Sequence, residues 1–187
     1  MTKIICPPNT LYHCLTHLAE LDPSARRVLK SAGFSDDRID EQLEKPGSKF
    51  YPDFAKSVSD VIDRISGARP DLFLDDTCIP CDGEMKACIS VVFPFPIGTK
   101  GVVHISELSK EELSTMTTEL RNGLVVRKVY VDSLSETDEC QLIMRKDRDS
   151  WRVLTVYPGE FAPPLPRNGE SDPYWDEHCF IEERREA

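Results

Sequence analysis

The sequence contains no apolar run approaching the roughly 18 residues needed to span a bilayer, so no membrane-embedded segment is expected. Its opening, MTKIICPPNT, has only a short apolar stretch before two prolines, with neither a secretory hydrophobic core nor an Arg-rich amphipathic helix. A cytoplasmic location is the expectation, or release as an effector through a specialised secretion machine. There is no block of lysines or arginines. Asp and Glu number 33 against 23 Lys and Arg, a formal net charge of -10, which excludes a broad basic groove for nucleic acid and a polybasic membrane anchor. A small basic site within an acidic surface is compatible with this balance. Internal repeats and low-complexity tracts are also missing.

The seven cysteines are an odd number, spread through a chain long enough to bury a core without staples, which fits free thiols rather than a disulfide framework. Cys78 and Cys81 have knuckle spacing, and Cys88 follows in CIPCDGEMKAC. No second Cys-x-x-Cys pair or paired histidines stand at zinc-ribbon distance. His13 and His17, four apart, project from one side of a helix, a metal-competent spacing that is also ordinary for a surface helix. No bound metal and no cofactor is expected. A zinc-stabilised regulatory domain around the three cysteines is the weakest of the readings considered.

What is present reads as α+β. Residues 1–70 have helical periodicity: Leu11, Cys14, Leu15 and Leu18 share a face, and Phe54, Val58, Val61, Ile62 and Ile65 form a second apolar stripe. Asp22 before Pro23 predicts a helix start, and Gly33 its end. Residues 71–187 change to short apolar runs broken by turn residues: KACISVVF, GVVHI, LVVRKVYV, CQLIM and WRVLTVY. Short connections predict a mostly antiparallel sheet of four to five strands, packed with the N-terminal helices as one compact unit. Ser109 and Glu112 predict a capped helix between strands, and YWDEHCFIEERRE is expected to form a C-terminal helical segment.

The chemistry-bearing residues fall on those strands. His104 interrupts the apolar run GVVHI, Arg121 precedes Asn122-Gly123, and Arg127 and Lys128 interrupt LVVRKVYV. Val153, Thr155 and Tyr157 alternate, so they are expected on one face, with Pro158-Gly159 ending the strand. Singly, each suits structure: a satisfied histidine, snorkelling cations, β-favouring Thr and Tyr. Together they supply an imidazole, guanidinium groups and two hydroxyls. That inventory suits metal-independent RNA cleavage, in which a 2'-hydroxyl loses a proton, attacks the adjacent phosphorus and expels a 5'-oxygen. His178, beside Asp176 and Glu177, is a further candidate acid.

The succession GVVHISELS, LRNGLVVRKVYVD, CQLIMRK and WRVLTVYPGE resembles the catalytic half of the barnase/EndoU/colicin/RelE-like ribonuclease fold, including its polymorphic-toxin and phage-associated branches, over roughly residues 85–160. The resemblance implies an endoribonuclease or toxin-like nuclease acting on tRNA or other structured RNA. It assigns the general base to His104, phosphate or base recognition to Thr155 and Tyr157, and charge stabilisation to Arg121 or Arg127. The alternative is an acidic, non-enzymatic interaction protein, such as an immunity or adaptor factor opposing a basic partner protein. The run APPLP would suit presentation to an aromatic groove.

Overall fold

The computed structural model describes residues 2–75, 77–121, 124–166 and 172–184. The first strand, β1 (Ile4–Ile5), leads into α1 (Pro8–Cys14), whose first turn holds a proline where no N–H donor is missed. Helix α1 buries Leu11 and Cys14 and tightens into a 3-10 turn over Leu15–His17. Asp22 caps α2 (Pro23–Ser31), accepting from the Ser24 and Ala25 N–H groups, and Gly33 follows at φ +94. Then come α3 (Asp36–Leu43), β2 (Lys49–Phe50) and α4 (Val58–Ala68), the last burying Val58, Val61 and Ile65. Downstream lie β3 (Lys86–Val92), β4 (Gly98–Thr99), β5 (Val102–His104), α5 (Lys110–Leu113), β6 (Thr117–Arg121) and β7 (Leu124–Val131). Helix α5 has the expected reciprocal box between Ser109 and Glu112. The chain continues through β8 (Glu136–Thr137), β9 (Glu139–Asp147), β10 (Ser150–Pro158), α6 (Pro173–Glu177) and β11 (His178–Glu183).

The architecture is α+β, with three sheets among the described residues where one was expected. Their strand orders are β1-β10-β9-β3, β5-β11-β7-β6 and β2-β4-β8. The N-terminal third contributes strands as well as helices: Ile4 pairs with Trp151 in parallel, and Phe50 pairs with Gly98. The principal core joins Leu15, Phe50, Val61 and Ile65 of the N-terminal third to Leu142, Met144 and Trp151 of the first sheet. A separate cluster of Val103, Val129, Val131, Cys179 and Ile181 serves the second sheet. At Gly98 the small third sheet is closed so tightly that an added Cβ would lie 2.2 Å from the Lys49 carbonyl oxygen. Gly98→Ala is therefore expected to destabilise the fold by ~1–3 kcal/mol, read from the urea midpoint.

Two expectations are corrected here. The C-terminal segment is helical only over α6; from His178 it becomes β11, which lies between β5 and β7, antiparallel to the first and parallel to the second. The reason is a period of two: Cys179 and Ile181 are buried, and Phe180 between them faces the other side. The second correction concerns β10. A bulge at Leu154 shifts its register on β9, so Val153 pairs with Met144 but Thr155 pairs with Ile143. Val153 thereby joins Trp151 and Val156 in the core, and Thr155 and Tyr157 turn to the other face.

Candidate functional site

A cleft of about 530 Å3 opens where the end of α1, the turn before β2, the end of β10 and the α6–β11 segment meet. From the N-terminal side it is lined by His13, Thr16 and His17. His13 projects from α1, and Thr16 and His17 from the 3-10 turn that continues it, a segment anchored on its other side by Leu11, Cys14, Leu15 and Leu18. The Nδ1 of His17 lies 3.3 Å from the Ser48 carbonyl oxygen and 3.0 Å from Ser48 Oγ. Because a carbonyl only accepts, this geometry assigns the proton to Nδ1 and leaves the lone pair on Nε2. Burial pushes the imidazole pKa down to about 4; the Ser48 bond opposes this, and the nearby positive charges of His13 and Lys49 add to it. His17 is therefore a neutral base near pH 7.

Thr155 and Tyr157 enter from β10, on the face the bulge exposes. The Tyr157 ring stands 5.7 Å from that of His17. Its hydroxyl accepts from the Ala162 N–H at 3.1 Å. Pro158 and Gly159, the latter at φ +115, reverse the chain so that Pro163, Pro164 and Leu165 return along the cleft. The strand end thus aims two hydroxyl side chains at the cleft, and one of them pins the proline run as a wall.

The opposite side carries Arg121, Trp175 and Phe180. The Arg121 guanidinium lies 4.0 Å above the Phe180 ring, and Phe180 stacks on Trp175 with centroids 5.0 Å apart. Glu119 pairs with Arg121, and Glu182 approaches it at 3.7 Å. Lys128 completes this network, 2.5 Å from Glu182 and 3.5 Å from Glu119. Arg121 is thereby held in place with much of its charge offset. The Asn122-Gly123 pair lies outside the described residues.

His104 and Arg127 do not border the cleft. His104 sits at the end of β5, where its Nδ1 accepts from the Ser106 N–H at 3.1 Å and caps a 3-10 turn. Its ring meets that of His178 edge-on at 5.0 Å, and Nε2 is 3.7 Å from Glu177. His178 in turn donates from Nδ1 to the Tyr174 carbonyl at 2.7 Å and stacks on the Tyr174 ring. Arg127 donates to the Asp176 carbonyl, tying α6 to β7. The five candidates therefore separate, with Arg121, Thr155 and Tyr157 at one cleft and the other two in local structural contacts. What the strand-centred reading passed over is the helix side. The i, i+4 spacing of His13 and His17 was the available signal, weighed there as a metal pair or as an ordinary surface helix.

Electrostatically the cleft departs from the rest of the molecule. His13, His17, Lys45 and Arg121 line it, whereas Glu160 is the only carboxylate residue among its described lining, and Glu160 is paired with Lys100 at 3.0 Å. Among the described residues no three His, Cys, Asp or Glu side chains are grouped to hold a metal ion, and no helix is long and apolar enough to cross a membrane. No family model, curated protein or solved structure matches this chain.

Proposed function

We propose that the cleft binds RNA and cleaves it without a metal ion, by attack of a 2'-hydroxyl on the adjacent phosphorus. The observation that carries this reading is the convergence of Thr155, Tyr157 and Arg121 with two imidazoles in one opening of an acidic protein. The base role moves from His104 to His17, whose Nε2 lone pair takes the proton from the attacking hydroxyl. The new bond joins O2' to phosphorus, the bond to O5' breaks, and His13, one helical turn away, protonates the departing oxygen. Products are a 2',3'-cyclic phosphate and a free 5'-hydroxyl. Arg121 and Lys45 offset the charge gathering on the phosphoryl oxygens. Thr155 orients the substrate, and Trp175, backed by Phe180, offers a ring face against which an unpaired base stacks. This assignment keeps the resemblance to the barnase/EndoU/colicin/RelE-like ribonuclease fold as a proposal about activity, with a different imidazole. Incubation of the purified chain with tRNA and total RNA in EDTA tests it. Cyclic-phosphate-ended fragments are the expected result, and intact RNA at high enzyme concentration removes the reading.

A second reading, as a binding protein, draws on one feature of the surface. Leu120 and Val125 are cross-strand partners on β6 and β7, 72% and 66% exposed, and β6 is the edge of its sheet. Paired apolar side chains on an open edge suit docking to another protein. Co-purification of a stoichiometric basic protein, with no RNA cleavage, would favour this reading.

A further inference from the structure

The helix wall of the cleft holds Lys45, His13 and His17, with no carboxylate in contact with them among the described residues. Several cations elsewhere are matched by carboxylates: Arg26 with Asp36 and Asp40, Lys56 with Glu20, Lys100 with Glu107 and Glu160, and Lys128 with Glu182. On the helix side of the cleft the partners are neutral. Lys45 Nζ donates to the Gln42 side-chain oxygen at 2.7 Å, and Lys49 Nζ donates to the Leu43 carbonyl at 2.5 Å. Burial pushes the Lys49 ammonium down to about 8, with no carboxylate opposing it. Lys49 also acts on His17, lowering its proton affinity. In a chain of net charge -10, this is a local field favourable to an anion.

The backbone at the same place is open. Lys45-Pro46-Gly47-Ser48 turns between α3 and β2, with Gly47 at φ +136, a conformation that favours glycine. Nothing stands within 4 Å of where a Gly47 Cβ would be. Ser48, behind it, is buried and engages His17. The turn therefore presents bare main chain to the cleft between a lysine and two imidazoles.

We propose that this wall is an anion subsite for a phosphoryl group, gripped by Lys45 and His13 against the Gly47 main chain, with the His17 ring beside it. The inference rests on the reading of the cleft as an RNA site and deepens it, because it gives the cleft a polarity. Phosphate enters at the helix wall, and the sugar and base extend toward Phe180 and Trp175. Arg121, across the cleft and already engaged by Glu119 and Glu182, contributes less to first capture of the anion and acts on the charge that gathers on it during the reaction.

The same group reaches the site from two sources, a nucleotide or free phosphate, and the experiment separates them. Inorganic phosphate and uridine 3'-phosphate are titrated into the full chain at constant ionic strength, with the His13 and His17 imidazoles followed by nitrogen-15 NMR. Saturable shifts at both rings are expected, and the His17 pKa should rise from about 4 as the anion binds. Lys45→Ala, at an exposed position, should keep its thermal transition and weaken binding about tenfold or more, with Lys45→Arg restoring it. Tighter binding of uridine 3'-phosphate than of phosphate supports a nucleotide ligand; equal binding supports the subsite as a free-phosphate site. Absence of saturable histidine shifts, or unchanged affinity in Lys45→Ala, overturns the subsite even if RNA is cleaved. Lys45-dependent phosphate binding without any RNA cleavage keeps the subsite and removes the nuclease reading.

Discussion

His17→Ala should lower RNA cleavage by about 100- to 10,000-fold, the range associated with loss of a positioned general base, with His104→Ala close to wild type. The contrast matters more than either number. His17 lines the cleft, its Nδ1 is committed to Ser48, and its remaining nitrogen is unprotonated at neutral pH. His104 instead spends its Nδ1 on the Ser106 N–H at the end of β5. Single-turnover cleavage of a fluorescent oligoribonucleotide in EDTA checks both variants, with circular dichroism confirming that each is folded. If His104→Ala abolishes cleavage and His17→Ala leaves it intact, the assignment of the base is wrong.

Phe50→Ala should destabilise the protein by ~3–5 kcal/mol, as expected for deleting a fully buried aromatic. Phe50 is 0% exposed, stacks on Phe54 at 5.5 Å, and pairs through β2 with Gly98. A loss of that size is a large fraction of the ~5–15 kcal/mol by which a domain is ordinarily stable. The loss also reaches the site, because Phe50 anchors the strand that begins one residue after Ser48. The urea midpoint by circular dichroism measures the loss, and an unchanged midpoint would show that the third sheet does not hold the fold together.

The depressed pKa of His17 predicts a pH dependence of stability. In the folded protein the ring resists protonation until about pH 4, whereas unfolded it gains a proton near 6.5. The unfolded chain binds more protons between these values, so stability is fully present above pH 6.5 and is lost as pH falls toward 4. His17→Gln, which removes the titrating group, should flatten that window in urea titrations at successive pH values. A slope identical to wild type would show that the ring is not held neutral by burial.

Where structure is decided locally, the sequence was a good guide. The Asp22 cap, the Ser109–Glu112 box and the α4 stripe depend on residues a few positions apart, and each is found in place. The α+β character was legible for the same reason. The bulge at Leu154 was not, since strict alternation in WRVLTVY is interrupted only by the way β10 registers on β9. Nor was β11: HCFIEE has few residues with which to declare a period, and the space between β5 and β7 selects the extended form. The site followed the same division. Thr155, Tyr157 and Arg121 reach the cleft from two different sheets. The strand reading placed a histidine beside them by assuming a single sheet, and His17 arrives instead from a helix far away in sequence.

The position of β11 has a consequence for how the second sheet comes into being. Strands β5, β6 and β7 precede it in the chain, yet β5 is joined to the β6–β7 pair in the sheet only through residues 178–183. Until that segment docks, two unsatisfied ladders face an empty slot, a template open to any passing extended peptide. Because Phe180 travels with the same segment, assembly of the aromatic end of the cleft and sealing of those edges are one event.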